Sequence, residues 1–133
     1  MANSKSEAAS HITGHLRCGI DMIEIARIEH GYQRLGERFL NRFFTPGERE
    51  DCNDKPYRLA ARLAAKEAVA KALGTGIGPI SWIEIEIRSD ECDRPVLHLH
   101  GAAAAVSDEL GLTQWDISLT HTRDYASAIA VAM

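Results

Sequence analysis

PYRLAARLAAKEAVAKALG, residues 56–74, decides how the rest of the chain is read. Alanine and leucine dominate it, and both give up little side-chain freedom in a helix. Pro56 suits a first helical turn, where an N–H is not needed. Gly74 suits the position just past the end, where a left-handed backbone closes the last turn. Leu59, Leu63, Ala70 and Leu73 recur at helical spacing and should face a core. Two polar sets interrupt the apolar run. Arg58, Arg62 and Lys66 stand four apart and stack on one side, while Glu67 and Lys71, also four apart, share an adjoining side. Spacing alone fits a solvated face with one favourable Glu–Lys pair. On spacing alone that solvated face is the favoured reading, because such pairs are ordinary on exposed helices.

Working outward, the chain turns apolar at Arg17 with RCGIDMIEI. A short strand over Cys18 to Met22 is expected, then a helix with Ile25, Ile28 and Tyr32 buried and Arg27 and Arg34 off that face. Asp21 falls at the strand-to-helix junction. GERFLNRFF is a second helical stretch, followed by TPGE at 45–48. There Thr45 caps, Pro46 takes the first helical position and Glu48 closes a capping box, a device read as purely structural.

After the long helix, GTGIGP at 74–79 could let backbone amides approach a phosphate. It matches neither GxxxxGK[ST] nor GxGxxG, and it follows a helix, so a plain connector is the simpler reading. Ile83, Ile85 and Ile87 alternate with Glu84 and Glu86, as in a half-buried strand with its glutamates toward solvent. DRPVLHLH reads as a turn and a strand, with Leu97 and Leu99 on one face and His98 and His100 on the other. GAAAAVSDEL is a short helix ended by Gly111. WDISLT is a strand with Trp115, Ile117 and Leu119 inward, THTRD a turn carrying His121, and YASAIAVAM a last strand. The expected fold class is α+β: a small antiparallel sheet, built as a meander, packed against one long helix and shorter helices. Residues 1–15, with His11 and His15, are expected to be a flexible tail, and 16–133 a single domain.

Composition narrows the function. The chain has 133 residues, 45% hydrophobic and 26% charged, in the range of one soluble domain. A net charge of −4 provides no global basic field for nucleic acid, so any anion site must be a local cluster. Cys18, Cys52 and Cys92 form neither a CxxC pair nor a disulfide framework, which suits a reducing compartment. No apolar run reaches membrane-spanning length, and MANSKSEAAS lacks the apolar stretch of a signal peptide. A cytoplasmic protein without nucleic-acid or membrane partners is expected.

Three segments in order resemble the holo-acyl-carrier-protein synthases, the short class of phosphopantetheinyl transferases: GIDMIEIARIE at 19–29, RLAARLAAKEAVAKALGTGIG at 58–78, and WDISLTHTRDYASAIAVA at 115–132. The resemblance implies that fold and transfer of 4′-phosphopantetheine from coenzyme A to a serine of an acyl carrier protein. It implies that Asp21, in GID, and Glu67, in KEA, hold magnesium, and that Asp21, Glu67 and Lys71 carry the catalysis. It further implies coenzyme A binding by Arg62, Lys66, Lys71, Gly74, His121 and Thr122. A homotrimer with active sites between subunits is implied too, and Ala126, Ala128 and Ala130 are expected on a closely packed face of its last strand. Two departures stand out: Thr120 where the family usually has Ser, and Asp93-Arg94-Pro95 where it usually has Gly-Arg-Pro or Gly-Lys-Pro. Aspartate tolerates a left-handed backbone better than most residues, so that turn should survive.

The chemistry suits these residues independently of the name. Phosphoryl transfer demands positioning and charge neutralisation, and magnesium takes one or two protein carboxylates plus phosphate and water. Lys71 can reach the pyrophosphate, and Arg62, Lys66 and His121 the outlying phosphates. A water on the ion or Glu67 itself could accept the serine proton. Acyl carrier proteins are acidic, and Arg27, Arg34, Arg38 and Arg42 offer a local basic face for docking. The alternative is that these arginines pair with Glu24, Glu29 and Glu37 on a solvated surface. Two other functions stay open: a non-catalytic coenzyme A-binding trimer, and a magnesium-dependent hydrolase using the same carboxylates.

Overall fold

Gly19 explains how close the sheet and the long helix come. A Cβ at this position would collide with the main-chain carbonyl of Ala68, so only glycine lets strand and helix touch here. The computed structural model describes residues 15–133. The expected tail, with His11, lies outside the described residues apart from His15.

Strand β1 (Arg17–Glu24) is followed by helices α1 (Ile25–Leu35), α2 (Glu37–Phe43), α3 (Pro46–Cys52) and α4 (Pro56–Leu73). A single 3-10 turn (Trp82–Glu84), β2 (Ile85–Ser89), β3 (Pro95–Leu99), α5 (Gly101–Glu109), β4 (Trp115–His121) and β5 (Tyr125–Ala132) complete the order. Helix α4 is buried nearly all round, from Leu59 to Leu73. Its alanines keep the helix thin, so the sheet can pack on one side and α1, α3 and β2 around the rest.

The expected meander is corrected. The main sheet runs β1-β5-β4, fully antiparallel, and β2 and β3 pair apart from it as a two-stranded ribbon. Alternation in sequence reveals strands but not partners. Here the first strand pairs with the last, Asp21 lying opposite Ala128 and Ala128 opposite Leu119. Along these strands Gly19, Asp21, Ile23, Ala126, Ala128, Ala130, Ile117 and His121 share the face turned to α4. The close-packed alanine face of β5 is therefore covered by the chain's own helix, with Ala126, Ala128 and Ala130 at most 3% exposed. The opposite face is bare: Ile20 and Met22 are each 63% exposed, Tyr125 45% and Ile129 40%. Exposed Cys18 lies on that outer side, whereas Cys52 is buried and Cys92 is exposed in the β2–β3 turn.

Smaller expectations also change. Tyr32 is exposed, not buried, because α1 offers the core only Ile25 and Ile28. Ile83 is exposed on the 3-10 turn, so the strand starts at Ile85. Glu86 is not simply solvated: it accepts from Thr45 Oγ1 at 2.6 Å and meets His100 Nε2 at 3.0 Å. Thr45 and Glu48 form both halves of the capping box, and Gly74 is left-handed with φ 80°.

Candidate active site

Strand parity turns Asp21 toward α4, and helix spacing turns Glu67 and Lys71 toward β1. Lys71 Nζ donates to Asp21 Oδ1 at 3.1 Å and to the Ile20 carbonyl at 3.0 Å. The Glu67 carboxyl neighbours that of Asp21, and Arg27 of α1 approaches Glu67 Oε1 at 3.6 Å. Burial, followed by the neighbouring Asp21 carboxylate, pushes the Glu67 carboxyl up to about 7, against the pull of Arg27 and Lys71. Among the described residues the second oxygen of Asp21 has no hydrogen-bond partner, and it is buried. Two facing carboxylates with an orphaned oxygen suit a hard divalent cation, which needs few protein ligands and keeps waters. The residues present therefore fit magnesium.

A second cleft, of about 460 Å³, lies at the other end of α4 and is lined by Tyr57, Arg58, Arg62, Arg94, Thr120 and His121 among others. Arg62 is only 4% exposed. Its Nη2 donates to Ser89 Oγ at 2.6 Å, its Nε has no partner, and among the described residues no carboxylate pairs with it. A buried, unpaired guanidinium facing a cleft is a standing demand for an anion. The ring of His121 packs against Tyr57, tilted by 38° with 4.8 Å between centroids. Exposed Thr122 closes the β4–β5 turn, its N–H donating to the Tyr125 carbonyl at 2.8 Å. Arg62 and Glu67 stand roughly 7.5 Å apart along α4 and on different sides of it. One chain thus brings Asp21, Glu67 and Lys71 together, and Arg62 with His121, but does not join the two sets.

Lys66 departs from its expected role. It is fully buried, donating to Glu48 Oε1 at 2.7 Å, to the Ile85 carbonyl at 2.6 Å and to the Trp82 carbonyl at 3.0 Å. The other oxygen of Glu48 accepts from the Ile87 N–H at 2.8 Å. Burial pulls the Lys66 ammonium below the usual lysine range, and Glu48 opposes that pull. All three protons of Lys66 are taken, so no phosphate can reach it. The capping role of Glu48 is visible in TPGE, but its pairing with Lys66 across the core leaves no mark in the sequence.

Gly74 caps α4, as its position just past the apolar run suggests. Its N–H bonds to the Lys71 carbonyl, those of Thr75 and Gly76 to the Ala70 carbonyl, and that of Gly78 to the Ile80 carbonyl. Three of these amides close the end of α4 and the fourth closes the loop, as a plain connector would. Gly76 and Ile77 border a small cavity with Glu67, Ala70, Lys71 and Trp82. On α1 and α2, Arg34, Arg38 and Arg42 are exposed. The expected acidic partner Glu37 pairs instead with Arg49, at 2.6 Å.

Residues 17–130 match the description of the 4′-phosphopantetheinyl transferase superfamily. The chain belongs to this superfamily. Among similar transferases, a holo-[acyl-carrier-protein] synthase of Chlamydia trachomatis serovar L2 is 51% identical over 118 residues, spanning 86% of this chain and 96% of that protein. One from Herpetosiphon aurantiacus is 46% identical over 122 residues, again 86% of this chain and 96% of the other. In three dimensions the chain is similar to the Helicobacter pylori holo-[acyl-carrier-protein] synthase crystallised in complex with coenzyme A. The TM-score is 0.80 at 34% identity, over 87% of this chain and 99% of the other. The phosphopantetheinyl transferase fold and the two clefts thus occur together in one chain.

Proposed function

We propose that this chain is a holo-acyl-carrier-protein synthase. It transfers 4′-phosphopantetheine from coenzyme A to a serine of an apo-acyl carrier protein and releases adenosine 3′,5′-bisphosphate. The observation that carries the reading is the cluster of Asp21, Glu67 and Lys71, with one orphaned carboxylate oxygen, in a chain of this superfamily. Asp21 and Glu67 would hold magnesium, which when bound neutralises charge on the pyrophosphate. Lys71 lends a flexible cation beside the same phosphates. Arg62 and His121 take the ribose 3′-phosphate and nucleotide end in the second cleft. The serine oxygen bonds to phosphorus as the bond to the adenosine bisphosphate breaks and the serine loses its proton. Preorganised charges around the phosphates stabilise that exchange.

The working unit is a homotrimer. Two features support this: the bare outer face around Ile20, Met22, Tyr125 and Ile129, and the separation of the two clefts along α4. A neighbouring copy that laid its His121 end beside Glu67 would complete one site from two chains. Arg34 and Arg38, with Arg27 nearer the carboxylates, receive the acidic carrier. The cytoplasm, where coenzyme A and carrier proteins meet, is its place.

The test is incubation with coenzyme A, magnesium and an apo-carrier protein, followed by intact-mass analysis. Attachment of the arm to the carrier is expected. Coenzyme A bound but intact, or coenzyme A hydrolysed with the carrier unmodified, would overturn the reading.

A further inference from the structure

The turn between β2 and β3 holds Asp93 in an uncommon way. Its φ is 60°, in the left-handed region that most residues avoid. The turn is pinned from within: Asp90 Oδ1 accepts from the N–H groups of Cys92 at 2.8 Å and Arg94 at 2.9 Å, and the Asp93 N–H donates to the Asp90 carbonyl at 3.0 Å. This scaffold carries the Asp93 carboxylate to the mouth of the second cleft. There Oδ1 accepts from Arg58 Nη2 at 2.6 Å. Arg58 stands one helical turn before Arg62, so both guanidinium groups serve the same cleft. Arg62 is buried and has no carboxylate partner among the described residues. Arg58 already has one.

We infer that Asp93 sets how strongly this cleft grips the ribose 3′-phosphate of coenzyme A, by competing with that phosphate for the Arg58 guanidinium. The inference rests on the transferase reading and adds a specificity-setting pair to it. Arg62 is the fixed anchor, because its burial prevents it from turning away. Arg58, with its side chain 24% exposed, is the adjustable contact. A phosphate entering the cleft must take Arg58 from Asp93. That exchange weakens binding of any ligand that carries the 3′-phosphate. Adenosine 3′,5′-bisphosphate carries it too, so Asp93 loosens product and substrate together, a useful balance where product release limits turnover.

The experiment uses the full chain with coenzyme A and with dephospho-coenzyme A, which differ only in the 3′-phosphate, titrated by calorimetry. Asp93→Asn removes the charge and keeps a side chain that tolerates φ > 0. It should tighten coenzyme A by about two- to five-fold, the range of an exposed ion pair, and leave dephospho-coenzyme A unchanged. In an Arg58→Ala background the same change should do nothing. Equal tightening of both ligands would show a general field effect and overturn the inference. So would an unchanged coenzyme A affinity, or an Asp93 effect that survives without Arg58. If the wild-type chain binds no coenzyme A at all, the transferase reading falls, and this inference with it.

Discussion

At Glu67, burial and charge pull against each other. Pushed up to about 7 by burial and by Asp21, this carboxyl holds a proton far more readily than an ordinary glutamate. Its folded value lies above the ordinary 4.5, so the group contributes stability to the metal-free protein below about 4.5. That contribution is lost as pH rises through about 7. Thermal melts of chelated protein should therefore fall across this window, and added magnesium should restore most of the loss at its upper end. A melting temperature that rose steadily over the same window without metal would contradict the arrangement. Glu67→Ala should cut transfer by about 10²–10³-fold, the usual cost of deleting one preorganised electrostatic group. It should not lower the metal-free melting temperature, since a helix accepts alanine readily. Rates equal to wild type in a chelator would refute a metal role for the pair.

Helix α4 carries two lysines, in the sequence KEAVAK, with opposite fates. Lys66 faces the core and is matched in every hydrogen bond, whereas Lys71 faces β1 and is half exposed. Lys66→Met would strand the buried Glu48 carboxylate and should cost about 3–5 kcal/mol in urea unfolding. Lys71→Met should leave unfolding within about 1 kcal/mol of wild type and abolish most transfer. Similar unfolding costs for the two would mean the roles are misassigned. Spacing alone places Glu67 and Lys71 on one side of α4, and caps at Pro56 and Gly74 mark its ends. The helix is legible for these reasons. Which lysine is buried is not, because α4 is apolar on almost every side and no single stripe marks the interior. The pairing of β1 with β5 is equally silent: it joins segments far apart in the chain, as where Asp21 lies opposite Ala128. Glu48 reads as a cap because its local role satisfies the pattern completely, which hides its second task.

For the whole molecule, net charge of −4 opposes an acidic partner, so docking must rely on a local patch. Among the described residues Arg34 and Arg38 have no ion-pair partner, while Arg27 already faces Glu67. Reversing Arg34 and Arg38 to glutamate should raise the carrier KM several-fold at low salt and spare coenzyme A binding. The difference should shrink as salt rises, since exposed charges are screened within about 8–10 Å. An unchanged carrier KM at low salt would move the docking face elsewhere.

The three cysteines turn the bare outer face of the sheet into a gauge of assembly that needs no label designed in. Burial pushes the Cys52 thiol up to about 11, so alkylating reagents should ignore it while the fold holds. Cys92 sits on the exposed turn of the separate β2–β3 ribbon and should react at once. Cys18 shares the outer side of β1 with Ile20 and Met22, so a neighbouring copy would shield it and dilution to monomers would uncover it. Mass spectra taken after brief alkylation should therefore show one adduct at working concentration and two after dissociation, in step with the mass from light scattering. Two fast adducts at every concentration, with a monomeric mass and full activity, would mean that each chain works alone.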